Sequence, residues 1–221
     1  MEIPAENGGG KVKPVISEET VKVLHMIDDD IKTHEFYLAG GTGLALQLEH
    51  RVSEDLDFFT LRKFNPQSLS FSLSRTGEYQ EIEISPDTLH CLLKGVRFSF
   101  LFYPVPLLFS VKEIKGIPVA DWRDIMAEKI KTLSQRGSKK DFYDVYFCFQ
   151  RTGIEEGIKI FKKRFSGTGI NYYHVLKSMV YFEDAEREPQ PVLLKHVEWE
   201  EIKKFFIKNL KEFEKHLLEE E

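Results

Sequence analysis

The sequence predicts an α+β fold, in which a mixed sheet with flanking helices is followed by a helical C-terminal region. Strand-like and helix-like patterns alternate up to about residue 115, whereas the apolar residues after Ala120 recur at helical spacing. A chain of 221 residues can also bury a substantial core. We therefore expect a flexible lead-in at residues 1–16, a sheet-containing core at residues 17–115 and a helical region at residues 116–221.

Composition argues against several classes of protein. The formal net charge is −5, so nucleic acid would have to bind through a local basic patch and not through a global positive field. The two cysteines, Cys91 and Cys148, stand alone in apolar surroundings, which argues against a zinc site or a disulfide framework. No apolar stretch approaches the ~20 residues that span a bilayer, and residues 1–13 lack the apolar centre of a signal peptide. We expect a cytoplasmic protein without a membrane partner.

The N-terminal part of the chain predicts a loose segment and then a helix. Pro4, Pro14 and the glycines at positions 8–10 favour the flexible lead-in. Ser17 is a typical N-cap residue, and apolar residues follow it at helical spacing. We therefore predict a single amphipathic helix that ends near residue 33.

Residues 36–60 are the stretch around which we expect the chain to be built. An apolar run at residues 36–39 predicts a short buried strand, and Gly40 and Gly41 predict a turn where the backbone can come close to a ligand. A helix is predicted over residues 42–48. Its first-turn amides and its dipole would favour a phosphate at the glycine turn.

Two aspartates lie on the strand predicted at residues 55–60. Residues i and i+2 project from the same face of a strand, ~7 Å apart at the backbone, so Asp55 and Asp57 would converge. Leu56 and Phe58 would face the core. Paired carboxylates suit Mg²⁺ or Mn²⁺ better than zinc. A glycine turn that holds a triphosphate, followed by carboxylates that hold a metal, supplies two needs of phosphoryl chemistry.

The remaining elements follow from turn residues and apolar spacing. A short helix is predicted at residues 66–75, and strands at residues 79–85, 88–94 and 96–103 extend a mixed or antiparallel sheet. Beyond residue 120 we predict a helical hairpin and then further helices, at residues 121–135, after Ser138, and at residues 154–165, 172–181 and 198–218.

Basic residues near this predicted site are concentrated on the helical hairpin: Lys129, Lys131, Arg136, Lys139 and Lys140. This is where we would place an RNA acceptor or the phosphates of a nucleoside triphosphate (NTP). The alternative is a solvated helix face, which is the usual meaning of such charges.

Three separated blocks of the sequence occur in the order found in a known family. They are residues 40–59, with Gly40-Gly41-Thr42, His50-Arg51 and Ser53-Glu54-Asp55-Leu56-Asp57-Phe58-Phe59, then residues 121–129 and residues 136–147. In these blocks the chain resembles the AbiEii/AbiGii-type nucleotidyltransferases, toxins of type IV toxin–antitoxin systems within the DNA polymerase β-like superfamily. The resemblance covers roughly residues 36–150 and implies a nucleotidyltransferase-like sheet.

The resemblance also implies an activity and a set of site residues. A nucleotide would move from an NTP to an acceptor, which for some relatives is the 3′ end of tRNA, and an antitoxin protein would be the partner. Carried over by position, Asp55 and Asp57 would bind the metal, and Lys129 would contact a phosphate. Asp141 would complete the site, with Arg51 and Arg136 in support. The triphosphate would lie at Gly40, Gly41 and Thr42.

One departure from the superfamily leaves alternatives open. A third carboxylate is commonly expected on a later strand, where residues 96–103 offer Ser99. Either Asp141 substitutes for it or metal binding is weaker. Three interpretations follow: Mg²⁺-dependent transfer to RNA or another hydroxyl acceptor, transfer to a protein or small molecule, and a non-catalytic protein of the same fold that binds a nucleotide or a partner.

Overall fold

Residues 14–219, which the computed structural model describes, contain a seven-stranded sheet. Its strands are Tyr37–Leu38 (β1), Leu56–Thr60 (β2), Tyr79–Ser85 (β3), Thr88–Leu93 (β4), Val96–Phe102 (β5), Lys112–Ile114 (β6) and Ile117–Val119 (β7). The strand order is β3-β4-β5-β2-β1-β7-β6. Strand β2 runs parallel to β5 and β1 parallel to β7, while the other neighbours are antiparallel. The predicted mixed sheet is confirmed.

Helices flank this sheet and form most of the C-terminal half. They are Glu18–Met26 (α1), Asp28–Thr33 (α2), Gly40–Leu48 (α3), Pro66–Ser74 (α4), Trp122–Leu133 (α5), Lys139–Thr152 (α6), Ile154–Arg164 (α7), Tyr172–Ser178 (α8), Glu183–Glu186 (α9), Trp199–Lys208 (α10) and Leu210–Leu218 (α11). Among residues 14–219, none of these helices combines the length and apolar character needed to cross a bilayer.

Two apolar clusters hold the elements together. On one face of the sheet, Phe58 and Phe98 are fully buried together with residues of α1, α2 and α4. Complete burial of such a side chain contributes about 1.5–3 kcal/mol. The second cluster joins α3 to the C-terminal helices around Phe142 and Phe206. Because side chains alternate along a strand, Asp57 projects away from the face that buries Phe58, and towards α5.

Two predicted helices are broken in the structure. The helix expected at residues 17–33 divides at Ile27, and the one expected at residues 198–218 divides at Asn209. Both residues leave the helical conformation, with φ/ψ of −109°/13° at Ile27 and −96°/11° at Asn209. The Asn209 side chain donates to the Phe205 carbonyl and so satisfies the end of α10. Apolar periodicity continues through each break, and therefore the sequence pattern does not reveal it.

The boundary expected near residue 115 falls inside a hairpin. Strands β6 and β7 are joined by Lys115 and Gly116, which both have positive φ, and β7 pairs with β1 of the main sheet. A strand of only three residues gives too short a pattern to recognise in a sequence. The predicted flexible lead-in at residues 1–16 lies outside the described residues up to position 13, and Ile16 is buried.

Candidate active site

Gly40 begins helix α3 and lies against Asp57. The predicted turn is therefore the first turn of the helix, since Gly40 and Gly41 are both helical residues. Gly40 has φ +57°, and a Cβ at this position would overlap the Asp57 carboxylate. The Ala39 amide donates to the Asp57 carbonyl at 2.8 Å, which fixes the start of α3 beside β2. Both the conformation and the close approach require glycine here.

The start of α3 presents unused backbone donors. Among residues 14–219, no side chain or carbonyl accepts a hydrogen bond from the amides of Gly40, Gly41 and Thr42. The Thr42 hydroxyl is buried and lies 2.8 Å from the Ser53 hydroxyl, so it contributes to the fold and is not directed at a ligand. Three free amides at the positive end of a helix dipole favour an anion.

The two predicted metal carboxylates lie at the start of β2. Asp55 is exposed and immediately precedes the strand, whereas Asp57 is half-buried on it. Within the part of the chain that the structure describes, neither carboxylate has a hydrogen-bond or ion-pair partner. Asp141 and Asp144, by contrast, are both paired.

A cleft of about 360 Å³ runs between the sheet and α5. The side chains that line it include Asp57, His90, Ser99, Lys129 and Arg136, and Gly40 forms part of its wall. The structure therefore brings Asp57, Gly40, Lys129 and Arg136 to one cleft. Asp55 lines a neighbouring groove with Arg97.

Lys129 lines the cleft, but its ammonium group is already paired. Nζ lies 2.7 Å from Asp141 Oδ1 and 2.7 Å from Asp144 Oδ2, and the residue is only 5% exposed. Burial alone would raise the pKa of both carboxyls, yet Lys129 and neighbouring cations hold both below the usual range. The alternative of a solvated helix face is therefore wrong for Lys129.

Asp144 is a central residue that the sequence analysis missed. Arg51 donates to it from Nε at 2.7 Å and from the terminal nitrogen at 2.9 Å, and His50 Nε2 lies 2.7 Å from the same carboxylate. We call Lys129, Asp141, Asp144, Arg51 and His50 the buried ion cluster. Its sequence signal is the i, i+3 spacing of Asp141 and Asp144, which puts both carboxylates on one side of a helix.

The Arg51 guanidinium also fixes the second glycine. A Cβ on Gly41 would overlap this group and would lie close to the Ser53 hydroxyl. Arg51 therefore connects the helix start to α6 through Asp144, although the prediction gave it only a supporting role. Burial lowers the pKa of His50 despite its contact with Asp144, and Nε2 is the ring nitrogen that faces the carboxylate.

Arg136 links the buried ion cluster to the cleft. Its Nε donates to Asp141 Oδ2 at 3.0 Å, while 56% of the side chain is exposed. Burial would lower the pKa of Arg136, but Asp141 and the charge of Asp57 raise it. Charges of alternating sign therefore lead from Asp57 through Arg136 and Asp141 to Lys129.

The five basic residues predicted as one patch do not form one. Lys129 and Lys139 are buried, and Lys139 donates to the Glu188 carbonyl at 2.6 Å. Lys131 donates to the Tyr103 hydroxyl at 2.9 Å. Only Arg136 and Lys140 are exposed. Helical spacing alone did not show which sides of α5 and α6 are covered by other helices.

The side chains available as ligands limit how this site could bind a metal. Residues 14–219 contain no group of three or more His, Cys, Asp or Glu side chains that could hold a metal ion. Asp57 nevertheless offers an unpaired carboxylate in the cleft and Asp55 one in the neighbouring groove, and hard divalent cations accept such ligands together with phosphate and water oxygens. The residues present therefore fit a metal that arrives with a phosphorylated substrate.

Comparisons with known proteins identify the family of this chain. The family described as "Nucleotidyl transferase AbiEii toxin, Type IV TA system" matches residues 22–93 and 96–218. The uncharacterized protein aq_aa25 of Aquifex aeolicus (strain VF5) is 39% identical over 186 residues, which cover 81% of this chain and 88% of that protein.

Solved structures show the same fold at lower identity. JHP933 from Helicobacter pylori aligns with a TM-score of 0.54 and 18% identity, over 91% of this chain and 94% of that chain. The nucleotidyltransferase toxin MenT4 from Mycobacterium tuberculosis H37Rv aligns with a TM-score of 0.54 and 17% identity, over 90% and 85% of the two chains. The nucleotidyltransferase-like fold is thereby confirmed. Because the family match spans nearly the whole described chain, this protein belongs to the AbiEii family of nucleotidyltransferase toxins of type IV toxin–antitoxin systems.

Proposed function

We propose that this nucleotidyltransferase uses Mg²⁺ or Mn²⁺ to transfer a nucleotide from an NTP to a hydroxyl group of RNA, with tRNA as the first acceptor to test. One observation carries the proposal: the unpaired Asp57 carboxylate lies directly against Gly40, at a helix start whose amides are free. A phosphate on those amides and a cation on Asp57 would share one cleft. Type IV membership also implies an antitoxin partner.

The carboxylates, the backbone amides and Arg136 have different roles in the proposed reaction. Asp55 and Asp57 hold the divalent cation, which when bound neutralises the phosphates and activates the acceptor hydroxyl. The amides of Gly40, Gly41 and Thr42 bind phosphate oxygens. Arg136 is half-exposed at the cleft and adds a positive charge there.

Lys129 and Asp141 act within the buried ion cluster. Lys129 binds Asp141, and Asp141 in turn accepts from Arg136 at 3.0 Å. The pair therefore orients Arg136, and direct contact between Lys129 and a phosphate would require one of its ion pairs to open. This refines the predicted role of Lys129 and keeps Asp141 as a residue that completes the site.

A second groove supports an RNA acceptor. It has a volume of about 360 Å³ and shares Gln135 and Arg136 with the cleft. His174, Lys177 and the half-exposed ring of Tyr181 line it. Cationic groups next to an exposed aromatic ring suit an unpaired nucleotide, which binds by stacking and by phosphate contacts.

The test uses the purified protein, each of the four α-labelled NTPs, total tRNA and Mg²⁺. We expect labelled RNA with the wild type and none with Asp57→Asn. Asp29→Asn is the matched control, because Asp29 is exposed on α2 and remote from the cleft. Equal labelling by Asp57→Asn and wild type would sink the proposal. Label on protein or on a small molecule would instead identify a different acceptor.

A further inference from the structure

A row of polar side chains crosses the sheet at the cleft. It includes the pair His90 and Ser99, which has no task in the proposed function. Asp57 on β2 is the register partner of Ser99 on β5, and Ser99 is the register partner of His90 on β4. His90 Nδ1 lies 3.0 Å from the Ser99 hydroxyl oxygen. All three side chains line the same cleft.

The other titratable groups of the cleft already have partners or tasks. The Glu128 carboxylate accepts from Arg164 at 2.8 Å and from Tyr103 at 2.9 Å. Lys129 is held by two aspartates, and Arg136 pairs with Asp141. Asp57 is assigned to the cation. His90 remains as the cleft residue whose hydrogen bonding, among residues 14–219, is limited to a hydroxyl group.

We propose that His90 is the general base of the transfer and receives the proton of the acceptor hydroxyl through Ser99. This rests on the proposed function. As the acceptor oxygen forms its bond to the α-phosphorus, the acceptor proton moves to the Ser99 oxygen and the Ser99 proton moves to His90 Nδ1. The bond from the α-phosphorus to the leaving oxygen breaks and pyrophosphate departs. The imidazolium then returns its proton to solvent.

The surroundings of His90 are compatible with this cycle. On β3 its register partner is Glu83, an acidic residue. From α5, Glu128 and Lys129 line the same cleft, but each is paired. The remaining charges that line this cleft are Arg136 and Asp57. Imidazole is the side chain best suited to exchange a proton near neutral pH.

The central experiment compares the steady-state kinetics of transfer by wild type and by His90→Gln, using whichever labelled NTP the wild type moves to tRNA. Loss of a general base typically costs ~10²–10⁴-fold in rate, so we expect kcat to fall by ~10²-fold or more while the KM for the NTP stays within ~3-fold. A general base acts in its unprotonated form, and therefore the wild-type rate should rise with pH, whereas His90→Gln should lose that rise.

Chemical rescue separates catalysis from structure. His90 is half-buried at the cleft, so His90→Ala leaves space that free imidazole can enter. We expect added imidazole to restore transfer in proportion to its unprotonated fraction, and we expect no such effect on Ser99→Ala. Far-UV circular dichroism and the unfolding midpoint of each variant show whether it is folded; if His90→Gln does not fold, His90→Asn replaces it. His196→Gln is the matched control, because the His196 side chain is 80% exposed and pairs with Glu198.

Each outcome has a defined meaning. Wild-type kcat and an unchanged pH profile in folded His90→Gln would overturn the inference and leave the proposed function intact. If the wild type transfers no nucleotide to any RNA, the proposed function itself is wrong. A nucleotide adduct on Ser99, seen as an increase in intact mass, would overturn the proton relay because Ser99 would then be the acceptor.

Discussion

Arg51 and Asp144 are 93 residues apart in the chain and form a two-point ion pair, with nitrogen–oxygen distances of 2.7 and 2.9 Å. Through this pair the last helical block of the family pattern holds the first glycine block in place, since the Arg51 guanidinium fills the space beside Gly41. The geometry of the cleft therefore depends on α6 as much as on the sheet.

Asp144→Asn should destabilise the protein strongly. The substitution removes the carboxylate that Arg51 binds and one of the two that bind Lys129, and breaking a buried pair in this way costs about 3–5 kcal/mol. We expect a loss of that size in the free energy of unfolding, measured by urea denaturation. Asp29→Asn, at an exposed position, should change it by less than about 0.5 kcal/mol. A loss no larger than that of the control would contradict the role of the cluster.

Gly40→Ala should damage both stability and transfer. The left-handed conformation costs a non-glycine residue about 1–2 kcal/mol, and the new Cβ would displace the Asp57 carboxylate. Gly167→Ala is the matched control, because Gly167 has φ +73° and none of the described atoms lies within 4 Å of its Cβ position. We expect similar strain in both variants, but a loss of transfer of about 10²-fold only in Gly40→Ala. Equal transfer rates would show that Asp57 does not need this contact.

Stability should fall on acidification through Asp121 and Asp144. Burial would raise the pKa of Asp121, but hydrogen bonds from Arg123 and Lys112 outweigh it and hold the pKa at about 2. Lys129 and Arg51 hold the pKa of Asp144 well below its usual range in the same way. A depressed carboxyl pKa stabilises the folded state above the unfolded value of about 3.9 and ceases to do so as the pH falls through the folded value.

The measurement is the free energy of unfolding in urea between pH 7 and pH 2. We expect Asp121 and Asp144 to leave the free energy of unfolding nearly constant down to about pH 5, and to lower it at more acidic pH. Asp121→Asn should be less stable than wild type at pH 7 and should lose less on acidification. An identical pH dependence in the two proteins would contradict the assignment of the Asp121 pKa.

Removal of divalent cations should stop transfer. Chelation with EDTA followed by titration with Mg²⁺ or Mn²⁺ should restore the rate, because the unpaired carboxylates need a cation to approach a triphosphate. Asp57 is half-buried against Gly40 whereas Asp55 is exposed, so Asp57→Asn should raise the half-maximal cation concentration more than Asp55→Asn does. The reverse order would reassign the principal ligand.

The cysteines should be unreactive in the folded protein. Burial raises the pKa of Cys91 to about 12, and burial also raises the pKa of Cys148 well above its usual range. Since the thiolate is the reactive form, a disulfide reagent at pH 8 should label neither thiol until urea is added, and then both. Rapid labelling of the native protein would show that β4 around Cys91 or α6 around Cys148 opens.

Local sequence signals predicted a large part of the fold. Strands β3, β4 and β5 match their predicted bounds closely, because Pro86, Asp87 and Gly95 mark the turns between them. Helix α4 follows from Pro66 at its first position and the Asn65 cap, whose side chain accepts from Ser68. The sequence did not predict the breaks at Ile27 and Asn209, because the apolar pattern continues through them. It did not predict the hairpin of β6 and β7, because strands of three residues are too short to form a recognisable pattern.

By itself, the sequence determined that Gly40 and Asp57 belong to one strand–helix–strand unit, because the residues between them are few and locally patterned. Only the tertiary structure decided that Lys129 is buried between Asp141 and Asp144, that Arg51 reaches α6, and that His90 meets Ser99 beside Asp57. The physical reason is that a buried charge requires a partner, and the chain supplies that partner from helices and strands whose proximity no local pattern encodes.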